Sequence, residues 1–299
     1  MPMKIKAIVP WMGTKRGMAP LIAAQLGPHR AYWEPFAGSM AVLLAKPVVS
    51  QETANDLHGD LILLALVLQH DRWGPWLYRQ LRRTLPSEEM HHVSRAQVQD
   101  PPVWSPLRID PFRLEEKDAR RAFWFFINSW LGRNGVIGTK ENNNHFCVRF
   151  TTNGGIQGTR FASAVDSIPA WRRRLREVTI LRRDGFELLE RIEDQPGTAI
   201  YCDPPYLEKG ATYIHDFTAA DHDRLAACLA RFERARVVLS YYDHPRLAEL
   251  YPAGRWERID CSRAKSLSVQ GQRGSKSERA PEVLLVNGPV AGDADLFGD

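Results

Sequence analysis

The sequence predicts an α/β protein built on a doubly wound, mostly parallel sheet of seven strands, with an inserted, mainly helical domain that carries a β-hairpin. Three observations carry that expectation. Short apolar and β-branched runs alternate with helical patterns along most of the chain, the order that puts parallel strands in one sheet with helices on its faces. The alternation stops over residues 73–176, where prolines, asparagines and glycines accumulate. It then resumes and reaches a last strand before an acidic tail, 291–299, expected to be solvated.

The elements follow in order. Lys15 to Leu26 has a helical pattern, Ala31 to Glu34 reads as a strand, and Met40 to Lys46 as a short helix. Val48 to Thr53 is a second strand and Gly59 to His70 a strongly apolar helix. Beyond the interruption come a strand at Val178 to Arg182, a helix at Phe186 to Ile192, and a strand at Thr198 to Cys202. A helix at Ala219 to Arg231 and strands at Arg236 to Ser240 and Glu282 to Asn287 complete the pattern, with Trp256 to Asp260 a weaker seventh strand. Inside the interruption, Glu115 to Leu131 is a helix whose Phe123, Trp124, Phe126, Ile127 and Trp130 belong to a core. The alternating run Phe146 to Phe150, bracketed by Asn142 to Asn144 and Asn153 to Gly155, suggests the hairpin. Residues 1–72 and 177–290 therefore read as one domain, and 73–176 as an insert within it.

A chain of 299 residues, 44% hydrophobic, can bury a sizeable core. Its longest apolar stretch, Leu61 to Leu68, is far shorter than the roughly 20 residues of a membrane helix. The N-terminus has no signal-peptide pattern, so a soluble cytoplasmic protein with no membrane partner is expected. Cys147, Cys202, Cys228 and Cys261 are scattered without metal-ligand spacing, which predicts reduced thiols and no metal. The net charge is +5. From His70 to Glu177 there are 18 Lys and Arg against 11 Asp and Glu, so the positive charge concentrates in the insert, as a polyanionic partner would require.

The residues with the clearest chemistry are Asp203, Pro204, Pro205 and Tyr206, directly after the strand Thr198 to Cys202. Ligands of open α/β sheets bind at such carboxyl ends. An exocyclic amino group on a heteroaromatic base is a poor nucleophile, because its lone pair is delocalised into the ring. The Asp203 carboxylate and the Pro204 carbonyl can each accept one amino hydrogen and return electron density to the nitrogen, with two prolines stiffening the backbone. Tyr206 offers an aromatic face to a base taken out of its stack. The competing reading is a proline turn that ends a strand. After the first strand, Glu34-Pro35-Phe36-Ala37-Gly38-Ser39 holds one glycine where a dinucleotide fingerprint needs three, which suits a nucleoside without phosphates. Asp56, 18 residues after Gly38, is placed to accept hydrogen bonds from ribose hydroxyls, or else to cap the helix from Gly59.

Taken together these motifs resemble the DNA adenine-N6 methyltransferase family, in particular the D12 class related to bacterial DNA adenine methylase. The family order is W-x-G-x-K, E-P-F-x-G, N-D-x-x-x-D-L, an inserted target-recognition region, then D-P-P-Y. Here it reads Trp11-Met12-Gly13-Thr14-Lys15, Glu34 to Gly38, Asn55 to Leu61, the basic insert, and Asp203 to Tyr206. The resemblance implies the S-adenosylmethionine-dependent methyltransferase fold, S-adenosyl-L-methionine as cofactor, and transfer of its methyl group to N6 of adenine in double-stranded DNA by base flipping. It further implies that Trp11, Lys15, Pro35, Phe36, Gly38, Asp56, Asp184, Phe186 and Asp203 line the cofactor site, and that Asp203 to Tyr206 are catalytic. Lys15 equally reads as a solvated helix lysine and Asp184 as a helix N-cap. Met40 departs from the pattern, since many members carry a second glycine there.

By the same resemblance the insert reads DNA, with Arg133, Asn134, Lys140, Asn142, Asn143, Asn144 and Arg149 as candidate contacts, arginine matching guanine and asparagine adenine. Lys265, Arg273, Lys276 and Arg279 form a basic loop before the last strand that suits phosphates. Arg172 to Arg174 fit a solvated helix face equally well. Three other readings share these features: methylation of cytosine N4, methylation of RNA adenine, and a non-catalytic DNA-binding protein that keeps the fold.

Overall fold

The computed structural model describes residues 3–99, 113–133, 139, 144–146, 148, 157–207, 217–261, 263–264, 279–280 and 282–292. In chain order the helices are α1 (Ala19–Leu26), α2 (Ala41–Ala45), α3 (Gly59–Gln69), α4 (Trp73–Arg83), α5 (Glu88–Gln99), α6 (Glu116–Leu131), α7 (Gln157–Leu175), α8 (Gly185–Arg191), α9 (Ala219–Ala230) and α10 (Leu247–Leu250), with a 3-10 turn at Lys15–Gly17. The strands are β1 (Ala31–Glu34), β2 (Gln51–Asn55), β3 (Val178–Leu181), β4 (Thr198–Cys202), β5 (Arg236–Tyr242), β6 (Glu257–Asp260), β7 (Arg263–Ala264), β8 (Arg279–Ala280) and β9 (Glu282–Asn287).

Seven strands form one sheet in the order β3-β2-β1-β4-β5-β9-β6. The pairs β1–β4, β2–β3 and β4–β5 are parallel, whereas β9 runs antiparallel to both β5 and β6. The sheet is therefore mixed: the parallel pairs that the alternation of elements predicts are joined by one strand, β9, antiparallel to both its neighbours. The physical reason lies in the connection. Among the described residues, β6 and β9 are linked by the antiparallel pair β7–β8, and an antiparallel neighbour can be reached without a crossover.

The chain divides into two compact units, Met1–Pro20 with Ala37–Gly185, and Leu21–Phe36 with Phe186–Asp299. In the first, α3 is buried on all sides, as an all-apolar helix must be; it packs against α4, α6, α7 and β3. The helix α6 begins with a capping box, Glu115 and Asp118 each accepting the other's backbone N–H, and buries Phe126, Ile127 and Trp130 as expected while Phe123 and Trp124 stay half-buried. Two indoles fix the N-terminal segment: Trp130 Nε1 donates to the Ile8 carbonyl at 3.1 Å and Trp171 Nε1 to the Ile5 carbonyl at 2.6 Å.

Within the stretch 73–176, expected to be mainly helical but with only Glu115 to Leu131 singled out as a helix, residues 73–83, 88–99 and 157–175 are helical as well. Pro75 sits in the first turn of α4, where no intrahelical N–H bond is lost, and α7 continues through Pro169. Two arginines of α7 are structural, while Arg173 between them is exposed. Arg172 Nε donates to the Leu68 carbonyl at 3.0 Å, and Arg174 pairs with the buried Glu52, which Lys46 also meets at 2.5 Å. Most of the expected hairpin lies outside the described residues; within them, Gly132 forms an antiparallel bridge with Phe146.

Candidate active site

In the first unit, β2 ends where the loop after β1 must be held. The Ala37 amide donates to the Asn55 carbonyl at 2.8 Å, and the Gly38 amide donates to Asp56 Oδ2 at 2.8 Å. The other oxygen, Oδ1, accepts the His58 amide at 2.9 Å. Each carboxylate oxygen thus keeps a lone pair for another donor, a set that fits the vicinal hydroxyls of a ribose. Gly38 adopts φ +46°, and a Cβ there would lie 3.0 Å from the Trp11 ring, so the glycine lets the indole lie flush against the loop. Asp56 does not cap α3. That role falls to His58, whose Nδ1 accepts the Leu61 amide at 3.3 Å. Its ring sits between Trp11 at 5.3 Å and Phe125 at 5.6 Å, and burial pushes its pKa down, leaving a neutral imidazole with the proton on Nε2.

Asn55, buried at the end of β2, donates from Nδ2 to the Arg183 carbonyl at 3.0 Å and accepts the Arg183 amide at 2.9 Å. These two hydrogen bonds fix the residue before Asp184, which is half-buried at the mouth of α8. Lys15 is buried, with Nζ donating to the Gly13 carbonyl at 2.6 Å.

In the second unit, β1 and β4 are parallel neighbours with Trp33 opposite Ile200. Pro35-Phe36 and Asp203-Pro204 therefore leave adjacent carboxyl ends, at the pair where the strand order reverses. Asp203 is half-buried and Tyr206 buried. The Tyr206 ring stands edge-on to Tyr242 at 4.5 Å and tilted against Tyr241 at 5.6 Å. Burial, helped by the Asp203 and Glu34 carboxylates, pushes the Cys202 thiol and the Tyr201 hydroxyl well up. Cys202 stays protonated and is no nucleophile, which leaves a carboxylate and an aromatic face as the chemistry of this strand end.

Phe36 and Phe186 meet through a residue that sequence reasoning missed. Phe217 stacks on Phe186 at 5.8 Å and 17°, and lies edge-on to Phe36 at 6.1 Å. A signal for it existed. Thr218 and Asp221 form the capping box of α9, and an aromatic residue just before such a box packs against the fourth helical residue, here His222 at 4.7 Å.

Of the candidate DNA contacts, Arg133 is exposed. Asn144 is buried, its Nδ2 donating to the Asn128 carbonyl and to Asn128 Oδ1, both at 2.9 Å. Asn134, Lys140, Asn142, Asn143, Arg149, Lys265, Arg273 and Lys276 lie outside the described residues, as does the Arg279 side chain. Among the described residues no group of three or more His, Cys, Asp or Glu could hold a metal ion, and no helix is long and apolar enough to cross a membrane.

Comparison with known proteins adds two findings. The family model described as D12 class N6 adenine-specific DNA methyltransferase matches residues 11–265. The Retron Ec67 DNA adenine methylase of Escherichia coli is 25% identical over 289 residues, which cover 95% of this chain and 92% of that protein.

Proposed function

Because the chain belongs to the D12 class of N6 adenine-specific DNA methyltransferases, and is thus an adenine-specific DNA methyltransferase, we propose that it uses S-adenosyl-L-methionine to methylate adenine N6 at a defined sequence in double-stranded DNA, in the cytoplasm. The observation that carries this reading is the placement of Asp203 to Tyr206 at the carboxyl end of β4, beside the loop that leaves β1.

When bound, S-adenosylmethionine supplies a methyl group already activated on a sulfonium. Asp56, Gly38 and Trp11 would hold the nucleoside, Asp56 by accepting from ribose hydroxyls; Phe36 and Phe186 belong to the same expected cofactor set. Lys15, Pro35 and Asp184 complete the cofactor set. The target adenine leaves the duplex and stacks on Tyr206. Asp203 and the Pro204 carbonyl accept its two amino hydrogens, which localises the nitrogen lone pair, and Pro205 keeps the backbone in place. Methylation makes that nitrogen cationic and acidic, so its proton passes to Asp203 or to water. No strongly perturbed base is needed.

Residues 73–176 act as the DNA-recognition insert, with contacts from Arg133, Asn134, Lys140, Asn142, Asn143, Asn144 and Arg149. For Asn144 the described contacts support anchoring its segment to α6. The loop with Lys265, Arg273, Lys276 and Arg279 binds phosphates.

The test is nucleoside analysis by mass spectrometry of unmethylated DNA incubated with S-adenosylmethionine and either the native protein or Asp203→Ala. N6-methyladenine with the native protein alone is expected. N4-methylcytosine would keep the chemistry and overturn the substrate, and no methylation by a protein that binds DNA would favour a non-catalytic role.

A further inference from the structure

His222 is buried in the second unit and has no part in the chemistry above. Its Nδ1 and the Tyr241 hydroxyl are 2.7 Å apart, within hydrogen-bond distance. Tyr241 is fully buried in the interior of β5 and lies against Tyr206 at 5.6 Å. On its other side the His222 ring touches Phe217 at 4.7 Å, the residue that stacks on Phe186. A leucine would fill the same space at lower desolvation cost, and a buried imidazole is tolerated only because the tyrosine satisfies it.

We infer that His222 is a positioning residue for methyl transfer: through its hydrogen bond to Tyr241 it fixes the tyrosine ring against which Tyr206 rests, and so sets the angle of the face offered to the target adenine.

The inference rests on the reading of Tyr206 as the base platform. Tyr206 is held on two sides by rings of β5, edge-on by Tyr242 and tilted by Tyr241. A hydrogen bond at the hydroxyl restricts the freedom of a tyrosine ring to shift. The bond to His222 removes that freedom, because α9 is itself fixed by its capping box and by the Phe217–His222 contact. Burial together with the nearby Arg246 guanidinium lowers the His222 pKa to about 4, so the imidazole is neutral at working pH and serves as a hydrogen-bonding strut, not as a base.

Positioning and packing roles are separated by comparing variants in single-turnover methylation of unmethylated plasmid DNA, with the S-adenosylmethionine dissociation constant measured alongside. His222→Leu keeps the volume and removes the bond. Tyr241→Phe removes one oxygen from the other partner and guards against a leucine variant that fails to fold. His222→Asn restores a polar atom near the Nδ1 position. Displacement of a reacting group by a fraction of an ångström costs on the order of tenfold in rate. His222→Leu and Tyr241→Phe should therefore each slow the methylation step by about tenfold, change cofactor affinity by less than about threefold, and together cost no more than either alone. His222→Asn should recover most of the rate. An unchanged rate in Tyr241→Phe, or His222→Asn as slow as His222→Leu, overturns the inference and leaves His222 a packing residue. Tyr206→Ala is run in parallel: if it methylates at the native rate, the platform reading itself fails, whereas a slow Tyr206→Ala beside a native-rate Tyr241→Phe sinks only the role of His222.

Discussion

Met40 adopts φ 57° and ψ 31°, the left-handed conformation, and is the only non-glycine residue with positive φ among those described. The turn into α2 needs a shape that L side chains reach at a cost of roughly 1–2 kcal/mol. The Met40 side chain is fully buried, and truncating such a side chain costs roughly 2–5 kcal/mol. Met40→Gly should therefore lower unfolding stability by about 1–3 kcal/mol despite relaxing the backbone, as read from urea denaturation. Asp56 is the second residue whose spacing was informative. The 18-residue separation from Gly38 turns out to be a direct 2.8 Å bond between the two, a relation that the spacing suggested only through an expected ligand. Bonds to a charged acceptor are worth roughly 1.5–3 kcal/mol each, so Asp56→Ala should weaken S-adenosylmethionine binding by about tenfold to a hundredfold in calorimetric titration. His222 and Tyr241 were not legible, because the bond between them joins α9 to the interior of β5 and neither residue type marks it.

At the scale of elements, β2, α2 and α7 are joined by one buried carboxylate. Glu52 receives the Lys46 ammonium, which also donates to the Pro47 carbonyl, and the Arg174 guanidinium, which donates to the Leu43 carbonyl. Removing one member of a buried ionic group leaves its partners uncompensated, at roughly 3–5 kcal/mol. Glu52→Gln should show a loss of that size in equilibrium unfolding, with the secondary structure by circular dichroism retained. This cluster could not be read from the sequence, where Arg172 to Arg174 looked like a charged outer face. The strands and the helices flanking them were legible, since their hydrophobic periodicity is strong and their ends carry turn residues. The helices α4, α5 and α7 were not. Two hold a proline, and α5 is largely polar, so tertiary packing against α3 and α6 supplies what propensity and pattern do not.

For the whole molecule, acid is the condition that should loosen it. His91 and His222 are both buried, and burial lowers each pKa from 6.5 to about 4, with nearby cations adding to the effect. The folded state resists protonation of these rings while the unfolded chain accepts it, so their contribution is complete above pH 6.5 and is lost as pH falls from 6.5 towards 4. Urea midpoints should drop between pH 7 and pH 5. Both nitrogens of His91 lack hydrogen-bond partners among the described residues, so His91→Leu should raise the midpoint at pH 7 and flatten its decline in acid. On the DNA side, each phosphate neutralised adds roughly −0.9 to the slope of log affinity against log salt. Neutralising Lys265, Arg273, Lys276 and Arg279 together should flatten that slope by up to about 3.6 on any sequence, measured by fluorescence anisotropy; an unchanged slope would remove the loop from the interface. One contact made far from all of these bears on how the protein is handled at the bench. The family match starts at residue 11, yet the Ile5 and Ile8 carbonyls accept the Trp171 and Trp130 indole N–H groups. A chain trimmed to the region of family similarity would strand two polar N–H groups in oil, so affinity tags and truncations are better planned around residue 3 than around residue 11.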